Sequence, residues 1–186
     1  MTDALILIDI QQAFIDPAHA PYWGQRNNPQ AEDNAARLLA HWRNASQPVI
    51  FVRHLTTNPA SPLIGTGADI QQTVAPLTAE PVLDKSANSA FIGTDLLERL
   101  HELAATRVTI CGLTTPHCVS TTVRMAANLG FDVTLAHDAC AAFTQNVQPA
   151  WRNGALPTAS AIHEAAIDQL HGEFAQALST DHILSR

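Results

Sequence analysis

The chain has few cations. Ten lysines and arginines stand against seventeen acidic residues in 186, for a formal charge of −7. Nucleic-acid binding neutralises phosphates with clustered Lys and Arg, so this balance argues against a nucleic-acid partner. A long apolar run is missing too. The run Ala4 to Ile8 stops at Asp9, far short of the roughly 20 residues a membrane span needs. No basic stretch precedes it, as one would in a secretion signal. A cytoplasmic protein with no membrane partner is the expectation. Cysteine is scarce: Cys111, Cys118 and Cys140 are an odd number at wide spacings. They suit neither a disulfide framework nor a CxxC metal knuckle, and read as free thiols.

Familiar site signatures are absent as well. The GxG at Gly65-Thr-Gly67 lies in a loop with no strand directly before it, which argues against a dinucleotide site. There is no P-loop, no GxSxG nucleophile elbow and no HExxH helix, so the usual hydrolase motifs do not explain the chain. Nine histidines are present, but no pair has ligand spacing, and a lone His54 reads as an ordinary loop or crevice residue before a metal ligand. No metal and no cofactor are expected.

What is present is a globular composition, 46% apolar and 15% charged, and a length that one core can serve, so residues 1–186 read as one domain. Ala4 to Asp9 is continuously apolar until its last residue, the mark of a strand buried on both faces of a parallel sheet. Ala31 to Ser46 carries Ala35, Leu38, Leu39 and Trp42 at helical spacing. Pro48 to Arg53 reads as a second strand, and Asn58 to Gly67 as a long surface loop of the kind that carries substrate contacts. Val82 to Lys85 is a short strand, Thr94 caps a helix through about Ala104, and Arg107 to Gly112 is a further strand. A helix over Pro116 to Leu129, a strand over Asp132 to Ala136 and a last helix over Ala159 to Leu178 complete the pattern. Such alternation predicts right-handed crossovers and a three-layer α/β/α sandwich with a mostly parallel, Rossmann-like sheet.

Ligands in such sheets bind beyond the carboxyl ends of the strands, where Asp9, Lys85 and the turn Gly112 to Cys118 converge. Pro116 is preset for a first helical turn, which places Cys118 near a helix N-terminus. There the amides and the helix dipole would favour the thiolate, and the same amides could cradle an oxyanion. Position alone equally fits a small buried cysteine, as read for Cys111 and Cys140. Asp9 closes an apolar strand and calls for a cation, for which Lys85 is the candidate. Singly, Asp9 also fits a cap and Lys85 a solvated charge. Phe14, Tyr22, Trp23 and His54 are nominated as crevice neighbours, with core packing an equal reading for the aromatics.

Three ordered segments carry a resemblance: Leu5-Ile-Leu-Ile-Asp-Ile-Gln-Gln-Ala-Phe14, Asp84-Lys-Ser-Ala-Asn-Ser-Ala-Phe91 and Gly112-Leu-Thr-Thr-Pro-His-Cys-Val-Ser-Thr-Thr122. Together they resemble the isochorismatase-like superfamily of cysteine hydrolases over essentially the whole chain. The resemblance implies that fold, a catalytic triad of Asp9, Lys85 and Cys118, a cis peptide between Leu113 and Thr114, and an oxyanion hole from the Thr114 and Cys118 amides. Nicotinamidase-type relatives add an Asp-x-His pair and a further histidine for a metal. Here His54 is followed by Leu55, Thr56 and Thr57, so no metal site is carried over.

The expected function is cysteine-dependent hydrolysis of a C–N bond in a small amide, carbamoyl compound or ureide through a thioester. Two alternatives stay open: hydrolysis of a vinyl ether with Asp9 as general acid, and a non-catalytic thiol sensor built on a low-pKa Cys118. Relatives assemble as dimers, tetramers or larger rings, so a homo-oligomer, dimer or tetramer, is expected as well.

Overall fold

Strand β1 (Thr2–Ile8) is the axis of the fold, and Ala4 to Ile8 are all essentially inaccessible to solvent. The computed structural model describes residues 2–186, and all statements of number or absence below refer to those residues. Six strands form one sheet in the order β3-β2-β1-β4-β5-β6: β2 (Val49–His54), β3 (Val82–Lys85), β4 (Ala105–Leu113), β5 (Asp132–Ala141) and β6 (Gln176–Leu178). Every pairing is parallel. The order reverses direction at β1, which feeds β2 on one side while β4 lies on the other. That is the switch point where a crevice opens in doubly wound sheets.

Helices cover both faces of the sheet: α1 (Ala20–Trp23), α2 (Ala31–Asn44), α3 (Leu96–Glu102), α4 (Ser120–Asn128), α5 (Ala159–Asp168) and α6 (Thr180–Leu184). Helix α2 shows how sequence makes packing. Its Ala35, Leu38, Leu39 and Trp42 fall on one buried stripe, Glu32 and Asp33 favour the positive start of the helix dipole, and Arg43 the negative end. Trp42 sinks its ring into the core while its indole N–H donates to the Asp3 carbonyl at 2.8 Å. Shortening the fully buried Leu38 to Ala would cost roughly 2–5 kcal/mol in lost burial and cavity. A smaller apolar cluster of Ala13, Phe14, Trp23, Leu63, Leu113 and Phe143 sits to one side of the main core, close to the strand ends.

Several boundaries differ from those the pattern predicts. The stretch Ala159 to Leu178 is not one helix: α5 ends at Asp168, the chain folds back through Gly172 at φ +87°, and Gln176 to Leu178 become the edge strand β6. Helical apolar spacing continues past Asp168, but left-handed Gly172 cannot continue a right-handed helix. Strand β5 runs on to Ala141, because its register shifts opposite Ile110 and Gly112 and pairing then resumes. Helix α3 starts at Leu96 behind an Asp95 cap position, and Thr94 sits one residue earlier, its hydroxyl accepting from the Leu96 N–H. The Cys118 segment is not the first turn of an α-helix: Thr115–Val119 is a wider π-helical turn, and α4 begins at Ser120.

Candidate active site

Three strand ends deliver the site. Asp9 follows β1 with φ +50°, a left-handed conformation that costs a non-glycine residue about 1 kcal/mol or more and is concentrated at functional positions. Lys85 ends β3, in register with His54 at the end of β2. Cys118 lies on the turn after β4, whose Gly112 pairs with Ile8 of β1. Gly112 has φ +126°, and a Cβ there would collide with the Ile8 carbonyl. Only glycine lets the end of β4 approach β1 so closely, and with it the turn that holds Cys118.

The side chains meet at one nitrogen. Lys85 Nζ donates to Asp9 Oδ2 at 2.7 Å and to Cys118 Sγ at 3.2 Å, and stands 3.2 Å from His54 Nδ1. The Lys85 and Asp9 side chains are 0% and 2% exposed. A buried ion pair of this kind repays its desolvation only when geometry and further hydrogen bonds are good. The other carboxylate oxygen, Asp9 Oδ1, is buried with no hydrogen-bond partner, while a carboxylate oxygen of Asp9 lies within 4.8 Å of Cys118 Sγ. The site therefore holds an open proton acceptor close to a thiol.

Burial pushes the Asp9 carboxyl above its ordinary range, against the pull of Lys85. Burial, then the Asp9 carboxylate, push the Cys118 thiol up to about 12, and Lys85 offsets only part of this. The low-pKa thiolate expected at a helix N-terminus is thus not what the structure shows. Cys118 sits in a π-helical turn before α4, desolvated and facing an acid. Asp9 and Cys118 are coupled, because a negative charge on the carboxylate disfavours one on the neighbouring sulfur. Cys111 and Cys140 are fully buried in β4 and β5, their thiols also pushed up by burial. Their positions fit packing.

A cleft of about 240 Å³ opens above Cys118. Small-molecule sites usually run to about 300–1,000 Å³, which makes this a site for a small ligand. Phe14, Tyr22, Trp23 and His54 all line it, as do Leu113 and Thr114, which are joined by a cis peptide. Phe14 and Trp23 are also core residues: their rings lie 4.4 Å apart, and the Trp23 indole N–H donates to the Ala13 carbonyl at 2.8 Å. Tyr22 is 46% exposed at the mouth. A larger hollow of about 550 Å³, bordered by Arg43, Ser46, Pro48, Glu80 and Arg99, lies where β2 begins, at the opposite end of the sheet, and has no cysteine in its lining.

The cleft also takes residues that the pattern does not single out. Asn58, Ser61 and Leu63 come from the proline-rich loop after β2, and Asn88 from the segment after Lys85. The loop itself is flagged by its composition; which of its residues turn inward is set by tertiary packing. Gln11 is a further case. Fully buried two residues after Asp9, it accepts from the His54 N–H at 2.9 Å and donates to the His54 carbonyl at 2.9 Å and the Ala68 carbonyl at 2.8 Å. A glutamine in an apolar strand exit signals such a clamp, because a buried amide must find partners.

The parallel α/β sheet carries a polar, thiol-bearing cleft beyond its strand ends, the place where proteins of this architecture bind small ligands. The model of the isochorismatase domain matches residues 3–182, and the chain belongs to the isochorismatase family of hydrolases. It is 43% identical over 184 residues to the isochorismatase family protein YrdC of Bacillus subtilis, covering 98% of this chain and 94% of that one. A crystal structure of an isochorismatase-family protein from Chromobacterium violaceum superposes with a TM-score of 0.90 at 38% identity, covering 99% and 92% of the two chains. Nicotinamidase 3 of Arabidopsis thaliana is 28% identical over 195 residues, 97% of this chain and 86% of that one.

Proposed function

We propose that the chain is a cysteine-dependent hydrolase of a C–N bond in a small amide, carbamoyl compound or ureide. The observation that carries this reading is the Lys85 ammonium bonded at once to Asp9 and to Cys118. In a nucleophilic mechanism the thiol proton passes to the open Asp9 Oδ1 as sulfur attacks the carbonyl carbon, and Lys85 holds the charge that moves between them. The oxyanion of the tetrahedral intermediate is received by the backbone N–H groups of Thr114 and Cys118. Collapse breaks the C–N bond, the nitrogen takes the proton from Asp9, and ammonia or an amine leaves a thioester on Cys118. Asp9 then takes a proton from water, hydroxide adds to the thioester, and the acid departs as sulfur regains its proton. Burial raises the Asp9 carboxyl, which makes it a better proton acceptor than an ordinary aspartate, and the proton it takes from sulfur is the one it returns to nitrogen. The name of the Arabidopsis relative, a nicotinamidase, is in keeping with an amide substrate.

A second reading rests on the same raised carboxyl: Asp9 as general acid toward a vinyl ether, with Cys118 uninvolved. A sensor reading built on a low-pKa thiol is at odds with a thiol pushed up to about 12. The test is ammonia release from a panel of small amides and ureides by wild type and by Cys118→Ala. Loss of at least roughly a thousandfold in turnover is expected, from the nucleophile together with its share of the oxyanion geometry. Pyruvate release from a vinyl ether that survives thiol alkylation would replace this reading with the second. A homo-oligomer, dimer or tetramer, belongs to the same proposal and is read by light scattering.

A further inference from the structure

We infer that His54 is a positioning residue: a neutral imidazole whose Nδ1 accepts a hydrogen bond from Lys85 and so fixes the ammonium between Asp9 and Cys118. The inference builds on the hydrolase reading above, and its test separates the two.

An ammonium has three N–H donors and nothing to accept with. Lys85 Nζ has three close polar neighbours, Asp9 Oδ2 at 2.7 Å, Cys118 Sγ at 3.2 Å and His54 Nδ1 at 3.2 Å. Each N–H finds an acceptor only if Nδ1 presents its lone pair. The ring proton of the neutral imidazole then lies on Nε2. This assigns the tautomer from the chemistry of its neighbour. Remove the acceptor and one N–H of a buried ammonium is left unpaired, and the cheapest remedy is for Nζ to tilt away from its present place.

The imidazole is held where it can do this. The His54 backbone is gripped on both sides by the Gln11 amide, its N–H donating to Oε1 and its carbonyl accepting from Nε2, each at 2.9 Å. The next residue ties the same strand to β3, the Leu55 N–H donating to the Lys85 carbonyl at 2.8 Å. Gln11 is on the same strand exit as Asp9, so one buried side chain sets the spacing between Asp9 and His54, and Lys85 spans that spacing.

The main alternative for His54 is metal ligation. One carboxylate oxygen of Asp9, one ring nitrogen of His54 and Cys118 Sγ lie within 4.8 Å of one another, a spacing that a cation could bridge. The shared neighbour of these groups is the Lys85 ammonium. A divalent ion entering there would have to displace, or sit beside, a positive charge already bonded to an atom of each of the three residues. The donor set fits an ammonium better than a metal.

Charge sets the pH limits of the arrangement. The ionisable groups facing the ring are Lys85 from β3, Asp9 from the end of β1 and Cys118 from the turn after β4. Burial first, then Lys85, lower the His54 pKa from 6.5, while Asp9 opposes them. The ring is therefore neutral at pH 7, and protonation would set an imidazolium against the ammonium and eject one of them.

The experiment compares His54→Phe, which keeps a ring but has no acceptor, with His54→Asn, whose amide oxygen can occupy nearly the position of Nδ1. In thiol-dependent ammonia release, His54→Phe should lower kcat by at least about tenfold with KM nearly unchanged, and His54→Asn should restore most of it. In parallel, nitrogen-15 NMR of histidine-labelled wild type should find His54 as the Nε2–H tautomer at pH 7, with its titration moved upward in Lys85→Met. Equal activity of His54→Phe and wild type overturns the inference, as does an Nδ1–H tautomer or a His54→Asn protein no better than His54→Phe. If no substrate shows Cys118-dependent release, the hydrolase reading fails by itself, and the NMR result still decides whether His54 accepts from Lys85.

Discussion

Two kinds of ion pair treat charge in opposite ways, and the open kind occurs even at the carboxyl ends, where Arg53 meets Asp84 at 2.7 Å with both side chains partly exposed. At the amino ends, Arg43 grips Glu80 with two hydrogen bonds of 2.8 and 2.7 Å, Arg99 meets Asp95, and Arg107 meets Asp3, all with side chains partly open to water. At the carboxyl ends, Lys85 and Asp9 pair in full burial, one carboxylate oxygen lacks a partner, and Asp9 adopts a strained backbone. The first kind of pair is screened by solvent and adds little to stability; the second costs desolvation and keeps charges that can move a proton. The contrast separates ion pairs open to water from a buried one beside the Cys118 thiol.

The largest expected break of that contrast is Cys118→Ala. Turnover should fall by at least roughly a thousandfold, while the midpoint of thermal unfolding stays near that of wild type, because the removed thiol is no member of an ion pair. A comparable loss of stability would mean that Cys118 mainly packs. Next come Lys85→Met and Arg43→Met, one from each end. Lys85→Met leaves a buried carboxylate without its cation and should cost about 3–5 kcal/mol at pH 8, against about 0–1 kcal/mol for Arg43→Met. The pH dependence sharpens this. Burial already raises the folded Asp9 pKa above 3.8, and removing Lys85 raises it further. A raised carboxyl favours the fold while protonated, and that favour is lost as pH rises through the folded value. The deficit of Lys85→Met should therefore be smaller at pH 5 than at pH 8 in denaturant titrations. Arg43→Met should show a weaker trend, since Glu80 is partly open to water and keeps the Leu77 N–H, which also lowers its pKa. Equal deficits at both pH values would show that the buried pair behaves like a surface one.

How much of this was legible in the sequence follows the same division. The apolar run ending in Asp9 marks β1 and its exit, and the order of the three motifs brings Asp9, Lys85 and the Cys118 turn to one end of a parallel sheet. Those readings rest on periodicity and on strand topology, both local or nearly so. The sixth strand was hidden, because Gln176-Ala-Leu178 continues a helical apolar spacing and only pairing with β5 makes it a strand. The thiol pKa was hidden for a similar reason. A turn after a strand, with proline at its start, looks like a helix N-terminus, whereas the charge that governs Cys118 comes from Asp9, 109 positions earlier in the chain. Gln11 lies in the first motif and Asn88 in the second, but their partners are supplied by β2 and by the cleft.

A further effect tests whether the turn that carries Cys118 is held from behind. Thr115, the first residue of that turn, has its hydroxyl 2.8 Å from Nδ1 of His163 on α5, and both residues are buried. Burial, reinforced by His137, lowers the His163 pKa from 6.5 to about 4. The sign is the reverse of that for Asp9: a histidine kept neutral in the fold stabilises it above the unfolded value, and the contribution is lost as pH falls through the window from 6.5 to about 4. Protonation would also put a charge in a buried site beside the Thr115 hydroxyl, disturbing the link between α5 and the turn. The unfolding midpoint of wild type should accordingly drop across that window, and His163→Leu, which cannot titrate, should flatten the drop while costing no more than about 1–3 kcal/mol at pH 8 for the unpaired Thr115 hydroxyl. A wild-type midpoint as flat as that of His163→Leu would mean that the histidine titrates freely and that α5 does not brace the turn through this bond.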